Sequence, residues 1–262
     1  MHGARPEAVA RKLLLMDADR VLYCGRLGRP RERRLGSITL YASPSASITV
    51  SAAGHGSMSA PLVVVPAYAP HTVYCSNDWI CCLLIEPEYL DLAHWPQAQR
   101  LAALVPEQLP WGWLRQLGNA LAGDEDGTLS LDRRDAFYAA CTLPRRRLDE
   151  RIHHLVSALR HDASAEWSAA EAARHCGLSL SRFLHLFKAE ARASYRHFRI
   201  WKRARLMLTH AASHDSLTHI AHSLGYPDSS YFSHSIRQVY GLRPTDILTG
   251  SRGIACGPLL PH

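Results

Sequence analysis

The sequence predicts an α+β chain of two domains: a small β-barrel or sandwich followed by helices, then an all-helical domain. Three observations predict it. Short segments rich in Val, Ile, Tyr and Thr crowd residues 20–87, the apolar period turns helical after them, and the positive charge is lopsided. The 262 residues are 47% apolar, enough for real cores, and carry a net charge of +7. From Arg145 to Gly250 there are 16 Lys and Arg against 9 Asp and Glu, whereas the remainder holds 14 of each. Eleven of the 16 histidines lie in that same basic stretch. A basic domain beside a neutral one points to a polyanion partner, nucleic acid first, with a solvated basic surface as the plain alternative.

The strand candidates are "RVLYCG", "SITLYA", "SITVS", "PLVVVP", "HTVYC" and "ICCLLIEP", separated by Gly, Pro, Ser and Asn. So many short strands in one stretch suggest a small barrel or sandwich. From Glu88 to Thr142 the period is helical. "WGWLRQLGNALAG" places Leu114, Leu117 and Leu121 on one face, a candidate dimerisation stripe that could equally pack on the barrel, with Gly123 as a stop. "DRRDAFYAACT" is a second helix candidate, capped by Asp132. "LPRRRLD" reads as a linker with the boundary near Pro144, giving units 1–143 and 144–250 and a loose tail at 251–262. "LDERIHHLVSALRHD" opens the second unit with Leu148, Ile152, Leu155 and Leu159 at helical spacing; about seven short helices and no further strand are expected there. The first residues carry a short apolar run broken by Asp17 and Asp19, unlike a signal peptide or a membrane helix. Seven cysteines without a CxxC pair lead us to expect free thiols in a reducing, cytoplasmic compartment.

The helical unit contains a repeat. "AEAARHCGLSLSRFLHLFKAEARASY" from Ala170 and "THIAHSLGYPDSSYFSHSIRQVYGLRP" from Thr218 align Ala173 with Ala221, Gly177 with Gly225, Phe183 with Phe232 and Lys188 with Arg237. Each copy reads helix, glycine turn, helix, the pattern of a helix-turn-helix. Glycine closes the first helix in the left-handed conformation, and Ser179 and Asp228 can cap the second helices. Phe232, Ile236 and Val239 make a buried face, as do Phe183 and Phe187 in the first copy. The other faces carry Ser181, Arg182, His185 and Lys188 in the first copy. In the second they carry Ser229, Ser230, Ser233, His234 and Arg237, with Tyr231 counted among them. Short hydroxyls let a helix sit deep in a major groove, arginine can grip guanine, and a terminal Lys or Arg meets phosphate. A polar solvent face is the plain alternative. The joining helix "SYRHFRIWKRARLMLTHA" has an apolar stripe of Ile200, Ala204, Met207 and Ala211, flanked by Phe198 and Trp201. Arg196, Arg199, Lys202, Arg203 and Arg205 are expected to cover the rest. At roughly 27 Å it could hold two readers about one duplex turn apart.

At this point the sequence resembles the AraC/XylS family of bacterial transcription regulators, over roughly residues 148–250. "IAHSLGYPDSSYFSHSIRQVYGLRP" is similar to the family's second-motif signature, and "APLVVVPAYAPHTVY" is more weakly similar to the strand-turn-strand of its sensor domains. The resemblance implies two helix-turn-helix units on successive major grooves of a promoter operator. It also implies a cupin-like barrel that senses a small-molecule effector, and pairing of two chains. RNA polymerase is an implied partner if the protein is an activator. The sequence departs from the family at Arg192, where a glycine usually ends the recognition helix. Ile236 stands where phenylalanine is common, and His185 and His234 where arginine is frequent. The residues alone leave open a small-molecule-binding or protein-interaction module without direct DNA contact.

Other chemistries find less support. A metal cupin needs clustered ligands, yet the barrel offers only His55 and His71, so no metal, cofactor or catalytic residue is expected, nor an enzyme. A Pro-Cys-His-Arg motif, a phosphate loop and a Ser-His-Asp set are all missing from the sequence. Tyr41, His55, Tyr68, His71 and Trp79 are candidate effector contacts, each of which core packing would also explain. Cys75, Cys81 and Cys82 could sense a soft metal or an oxidant, or serve as core thiols; adjacent Cys81 and Cys82 must point to opposite faces of a strand.

Overall fold

Alternation along the N-terminal strands buries both faces of one sheet. In the computed structural model, residues 12–90 are described except 18, 29–30, 44, 53–55 and 77–78. Also described are 111–115 except 113, 146–248 except 162–166, 212 and 214, and 254–258. The strands are β1 (Lys12–Met16), β2 (Arg20–Arg26), β3 (Ile38–Ala42), β4 (Ile48–Ala52), β5 (Gly56–Ala60), β6 (Leu62–Val65), β7 (Thr72–Cys75), β8 (Trp79–Ile85) and β9 (Ile254–Pro258). They form a six-stranded sheet, β6-β3-β8-β2-β1-β9, and a three-stranded sheet, β5-β4-β7, so the cupin-like barrel is an open pair of sheets. Leu14, Val21, Tyr41, Val63, Cys82 and Leu84 point inward and share one core with Ile48, Val50, Val73 and Cys75 of the smaller sheet. Their neighbours Leu13, Leu15, Leu22, Leu40, Leu83 and Ile85 fill the opposite face with Leu90 and Leu114.

Two expectations change here. Residues 254–258 are not a loose tail: they add a parallel edge strand to β1, pairing Lys12 with Ile254 and Met16 with Pro258. An open sheet edge offers unpaired backbone groups, which the returning chain satisfies. Cys24 and Cys81 are not free thiols but a disulfide, because the antiparallel register of β2 and β8 sets them directly opposite on one face. Cys75 and Cys82 are free and buried, and Cys81 and Cys82 do face opposite sides.

The C-terminal part contains α1 (Glu150–His161), α2 (Ala169–His175), α3 (Leu180–Ala191), α4 (Tyr195–Met207), α5 (Leu217–Ser223), α6 (Ser229–Tyr240) and α7 (Pro244–Leu248). Serines cap α2, α3, α4 and α5, and Asp228 caps α6; Ser168 and Glu171 form a full capping box on α2. The joining helix α4 runs 13 residues, about 20 Å, before a 3₁₀ turn at Leu208–His210.

The two halves of this part are packed differently. α1, α2, α3 and the start of α4 enclose their own core around Phe183, Phe187, Tyr195 and Phe198. The end of α4 with α5, α6 and α7 instead shares the inward core of the sheets, through Trp201, Met207, Leu208, Phe232, Ile236, Tyr240 and Leu248.

Lys202 and Arg205 are corrected by the same packing. They are 5% and 7% exposed rather than on the solvent face. Lys202 donates to Glu86 at 2.7 Å and to Glu88 at 2.6 Å, and Arg205 lies 2.9 Å from Glu86. The Trp201 indole N–H donates to Glu86 at 3.0 Å. Burial alone would raise Glu86, but Lys202, Arg205 and these hydrogen bonds outweigh it and hold the carboxyl below the usual range. Burial raises Glu88 despite Lys202, and the neighbouring Glu86 adds to the rise. "IEPE" thus docks the sheet on α4 through a desolvated ion cluster.

Candidate nucleic-acid interface and effector cavity

The second helix of each helix-turn-helix unit is set by the same local chemistry. Gly177 and Gly225 take φ of +64° and +71°, closing α2 and α5. The next residues reach back five positions, Leu178 N–H to the Ala173 carbonyl and Tyr226 N–H to the Ala221 carbonyl, each at 2.9 Å. Ala173 and Ala221 are both buried, as the repeat requires. Ser179 then accepts from Arg182 N–H at 3.4 Å, and Asp228 from Tyr231 N–H at 2.7 Å. Phe183, Phe187, Phe232 and Ile236 are fully buried, which fixes the opposite faces outward.

Those faces carry the residues expected there. On α3, Ser181, Arg182, His185 and Lys188 are exposed. On α6, Ser230, Tyr231, His234 and Arg237 are exposed and Ser229 and Ser233 half-buried, with His234 Nε2 3.0 Å from Gln238 Nε2. Sequence reasoning missed Leu180 and Leu184, which are 47% and 42% exposed on α3; Tyr231 is 53% exposed on α6. Leu184 follows the buried Phe183 and so turns about 100° away from the core, a signal a helical wheel contains. Apolar groups on a reading helix suit thymine methyls. Arg192 ends α3 at φ +58°, a bulky residue in the place and conformation of the usual glycine. The carboxylate of Glu190 is directed away, toward Arg146 and the Asp149 N–H.

Inside the sheets lies a cavity of about 420 Å³ lined by Leu14, Val21, Leu84, Tyr23, Tyr41 and Cys82 on one side and by Leu208, Tyr240, Leu242 and Ile247 on the other. Lys12 and Arg33 also line it. Arg33 is 5% exposed; one guanidinium nitrogen donates to the Tyr41 hydroxyl at 3.4 Å, while Nε and Nη2 have no partner. Burial pushes His71 down to about 4, and Arg33 acts in the same direction, so His71 is neutral. Its Nδ1 lies 2.8 Å from the Ala69 carbonyl and must donate there, leaving Nε2 to accept from Tyr41 at 2.8 Å. Burial likewise raises the Tyr41 hydroxyl to about 12. No described acid pairs with the Arg33 guanidinium, and the Tyr41 hydroxyl gives it only a neutral contact.

The effector contacts expected from sequence therefore divide. Tyr41 lines the cavity and His71 supports it from behind. Tyr68 lines a separate cleft, its ring tilted against that of His197 at 6.3 Å between centroids. Trp79 packs on the outer face of the large sheet, away from both, because β8 starts there with its side chain on that face. His55 lies outside the described residues. Arg33 and Lys12 were missed, since a lone basic residue in sequence gives no sign that it faces inward. Leu114 is buried against the outer sheet face, the barrel packing left open from sequence, while Leu117, Leu121, the Asp132 cap and the Pro144 boundary lie outside the described residues.

The separate cleft, about 950 Å³, runs between residues 31–34, α4 and α6 and is lined by Arg31, Arg34, Arg196, His197, His234, Arg237 and Arg243 among others. Among the described residues, no group of His, Cys, Asp and Glu is placed to hold a metal ion, and no helix is long and apolar enough to cross a membrane.

Residues 172–249 match the family model of a helix-turn-helix domain. Comparison with curated protein sequences returns no match. Among solved structures, the chain is similar to ToxT from Vibrio cholerae strain SCE256 with a bound unsaturated fatty acid. The identity is 14% over 92% of this chain and 94% of that one, with a TM-score of 0.51. It is also similar to ToxT from Vibrio cholerae O395 bound to (E)-4-(8-methylnaphthalen-1-yl)but-3-enoic acid, at 11% identity over 92% and 98% of the chains and a TM-score of 0.53. At such identities the likeness is one of fold, and it extends over both the sheets and the helices.

Proposed function

We propose that this chain, an AraC/XylS-type transcription regulator, reads a promoter operator with α3 and α6 in successive major grooves and answers to an effector held in the cavity between the sheets and the second helix-turn-helix unit. One observation carries the DNA reading: two units closed by the same glycine turn and capped in the same way present exposed Ser, His, Arg and Lys side chains, while their aromatic faces are buried. Binding then rests on phosphate neutralisation for affinity and on the serine, arginine and leucine contacts for preference. Fluorescence anisotropy on genomic fragments recovered with the protein tests this. If six or more phosphates are neutralised, affinity falls about a thousandfold or more between ~50 and ~200 mM salt. Salt-independent binding, or equal affinity for recovered and scrambled duplexes, overturns the reading.

The effector class that suits the cavity is an apolar acid. Its walls are mostly aliphatic and aromatic, and the two unpartnered nitrogens of Arg33 supply a buried anion site; Lys12, Arg26 and one acid, Asp246, also line the cavity. The acids bound in the similar structures agree with this choice. Decanoate should raise the melting temperature more than decanol or methyl decanoate, and Arg33→Met should abolish the difference. Equal shifts from all three probes refute the assignment. Two chains paired through the segment after the sheets would raise the local concentration of reading helices on a repeated operator. We place the protein in the cytoplasm with its DNA.

A further inference from the structure

The loop at residues 31–34 belongs to the N-terminal domain, yet it is bonded to the end of the second reading helix. Arg31 N–H donates to the Gly241 carbonyl at 2.9 Å and Arg34 N–H to the Val239 carbonyl at 3.0 Å. Gly241 ends α6 at φ +67°, and the Arg31 carbonyl lies so close that a Cβ there would overlap it. Arg33 between them turns its side chain inward, which leaves those of Arg31 and Arg34 exposed. Among the described contacts, these two residues are tied to the fold through their backbone.

Both residues line the basic cleft together with Arg196 from α4, Arg237 from α6 and Arg243 beyond it. Among the described residues, none of the five is within salt-bridge distance of a carboxylate. The acids in the cleft are Glu32 and Asp246, and Asp246 already accepts the Arg243 N–H at 3.1 Å. His234 and Arg237 belong both to the cleft and to the reading face of α6, so the cleft opens where a groove-bound helix meets the flanking phosphates. A helix C-terminus carries the negative end of the dipole and repels phosphate. Here the two N–H donors from the loop occupy the terminal carbonyls, and the two exposed arginines bring positive charge to that end. Five cations spread over an open cleft of about 950 Å³ match a row of phosphates better than a single small anion.

We infer that Arg31 and Arg34 of the N-terminal domain clamp the phosphate backbone beside the groove read by α6, making the sensor domain part of the DNA-binding surface. This rests on the DNA-binding reading above. The test uses the full chain, recovered and scrambled duplexes, and anisotropy titrations across a salt series. Arg31→Ala with Arg34→Ala should lower the log–log salt slope by about 2, at ~0.9 per phosphate contact. It should weaken both duplexes by the same factor, whereas Arg31→Lys with Arg34→Lys should keep the slope. Glu32→Gln should tighten both. If the wild type binds with a steep salt slope that the alanine pair leaves unchanged, the clamp is refuted and the DNA reading stands. Tighter binding by the alanine pair also refutes it and makes the loop a shield. A wild type that binds neither duplex refutes both.

Discussion

Lys202 is the place to test how the two domains are held together. Its ammonium sits between two carboxylates that are each 1% exposed, at 2.7 Å from Glu86 and 2.6 Å from Glu88. Lys202→Met keeps the aliphatic stem and removes the charge. Glu86 still has Arg205 at 2.9 Å and the Trp201 indole N–H at 3.0 Å, but Glu88 loses the cation it contacts. Removing one partner of a buried ion pair costs about 3–5 kcal/mol, whereas an exposed pair is worth under about 1 kcal/mol. For a domain of this size that corresponds to a fall in Tm of roughly 6–20 °C. Adding Glu88→Gln removes the stranded charge, so the double variant should recover up to about 3 kcal/mol of that loss. The pH dependence has a definite sign. A buried carboxyl whose folded pKa is raised opposes folding above that pKa, so the deficit of Lys202→Met should shrink as pH falls through the raised Glu88 pKa. Urea unfolding followed by tryptophan emission, at neutral and mildly acidic pH, measures all three quantities. A loss below about 1 kcal/mol, or no relief from Glu88→Gln, refutes the buried-cluster account.

Three further outcomes follow from individual residues. Arg192→Gly should stabilise the chain by about 1 kcal/mol in urea, because Arg192 holds a left-handed φ of +58° that glycine adopts without a Cβ penalty. His71 is held neutral to about pH 4 against an ordinary value of 6.5, so the unfolded chain binds the extra proton and stability falls as pH drops through that window. The loss is about 3 kcal/mol in full and about 2 kcal/mol between pH 7 and 5, and His71→Gln should remove it from the denaturation profile. On DNA, Leu184→Ala and Arg182→Ala should each reduce preference for the recovered operator over a scrambled duplex by about 1–3 kcal/mol while leaving nonspecific affinity nearly intact. An equal loss on both duplexes would assign these residues to phosphate instead.

What the sequence makes legible here is local. The caps Ser179 and Asp228, the turns at Gly177 and Gly225 and the buried Phe183, Phe187 and Phe232 all lie within one helix-turn-helix length of one another, and the structure has each as read. The alternation that separates Cys81 from Cys82 is equally short in range. The misreadings concern partners far away in the chain. Lys202 looked like a solvent-facing charge because its carboxylates lie 116 and 114 positions earlier. Cys24 and Cys81 meet through a strand register, at a separation of 57. Residues 254–258 have a strand to join only once β1 exists as an edge. Arg33 differs from Arg31 and Arg34 only in pointing the other way, which a loop sequence does not encode.

The same packing shows how an effector could alter DNA binding. A ligand shifts an equilibrium only by its difference in affinity for the two states, so the cavity must change with the arrangement of the reading helices. Its far wall is Tyr240, Leu242 and Ile247, the end of α6 and the segment after it, while its near wall is the sheet. Tyr240 also donates to the Ala204 carbonyl of α4, so the cavity wall touches the joining helix directly. The first helix-turn-helix unit has a separate core, whereas the second shares that of the sheets. If the cavity holds the effector, filling or emptying it would act on the second unit's seat against the sheet, and α4 would carry a tilt to the first. Coupling of this kind is commonly 1–3 kcal/mol, about 5- to 150-fold in operator affinity, and by linkage operator DNA must change effector affinity by the same factor.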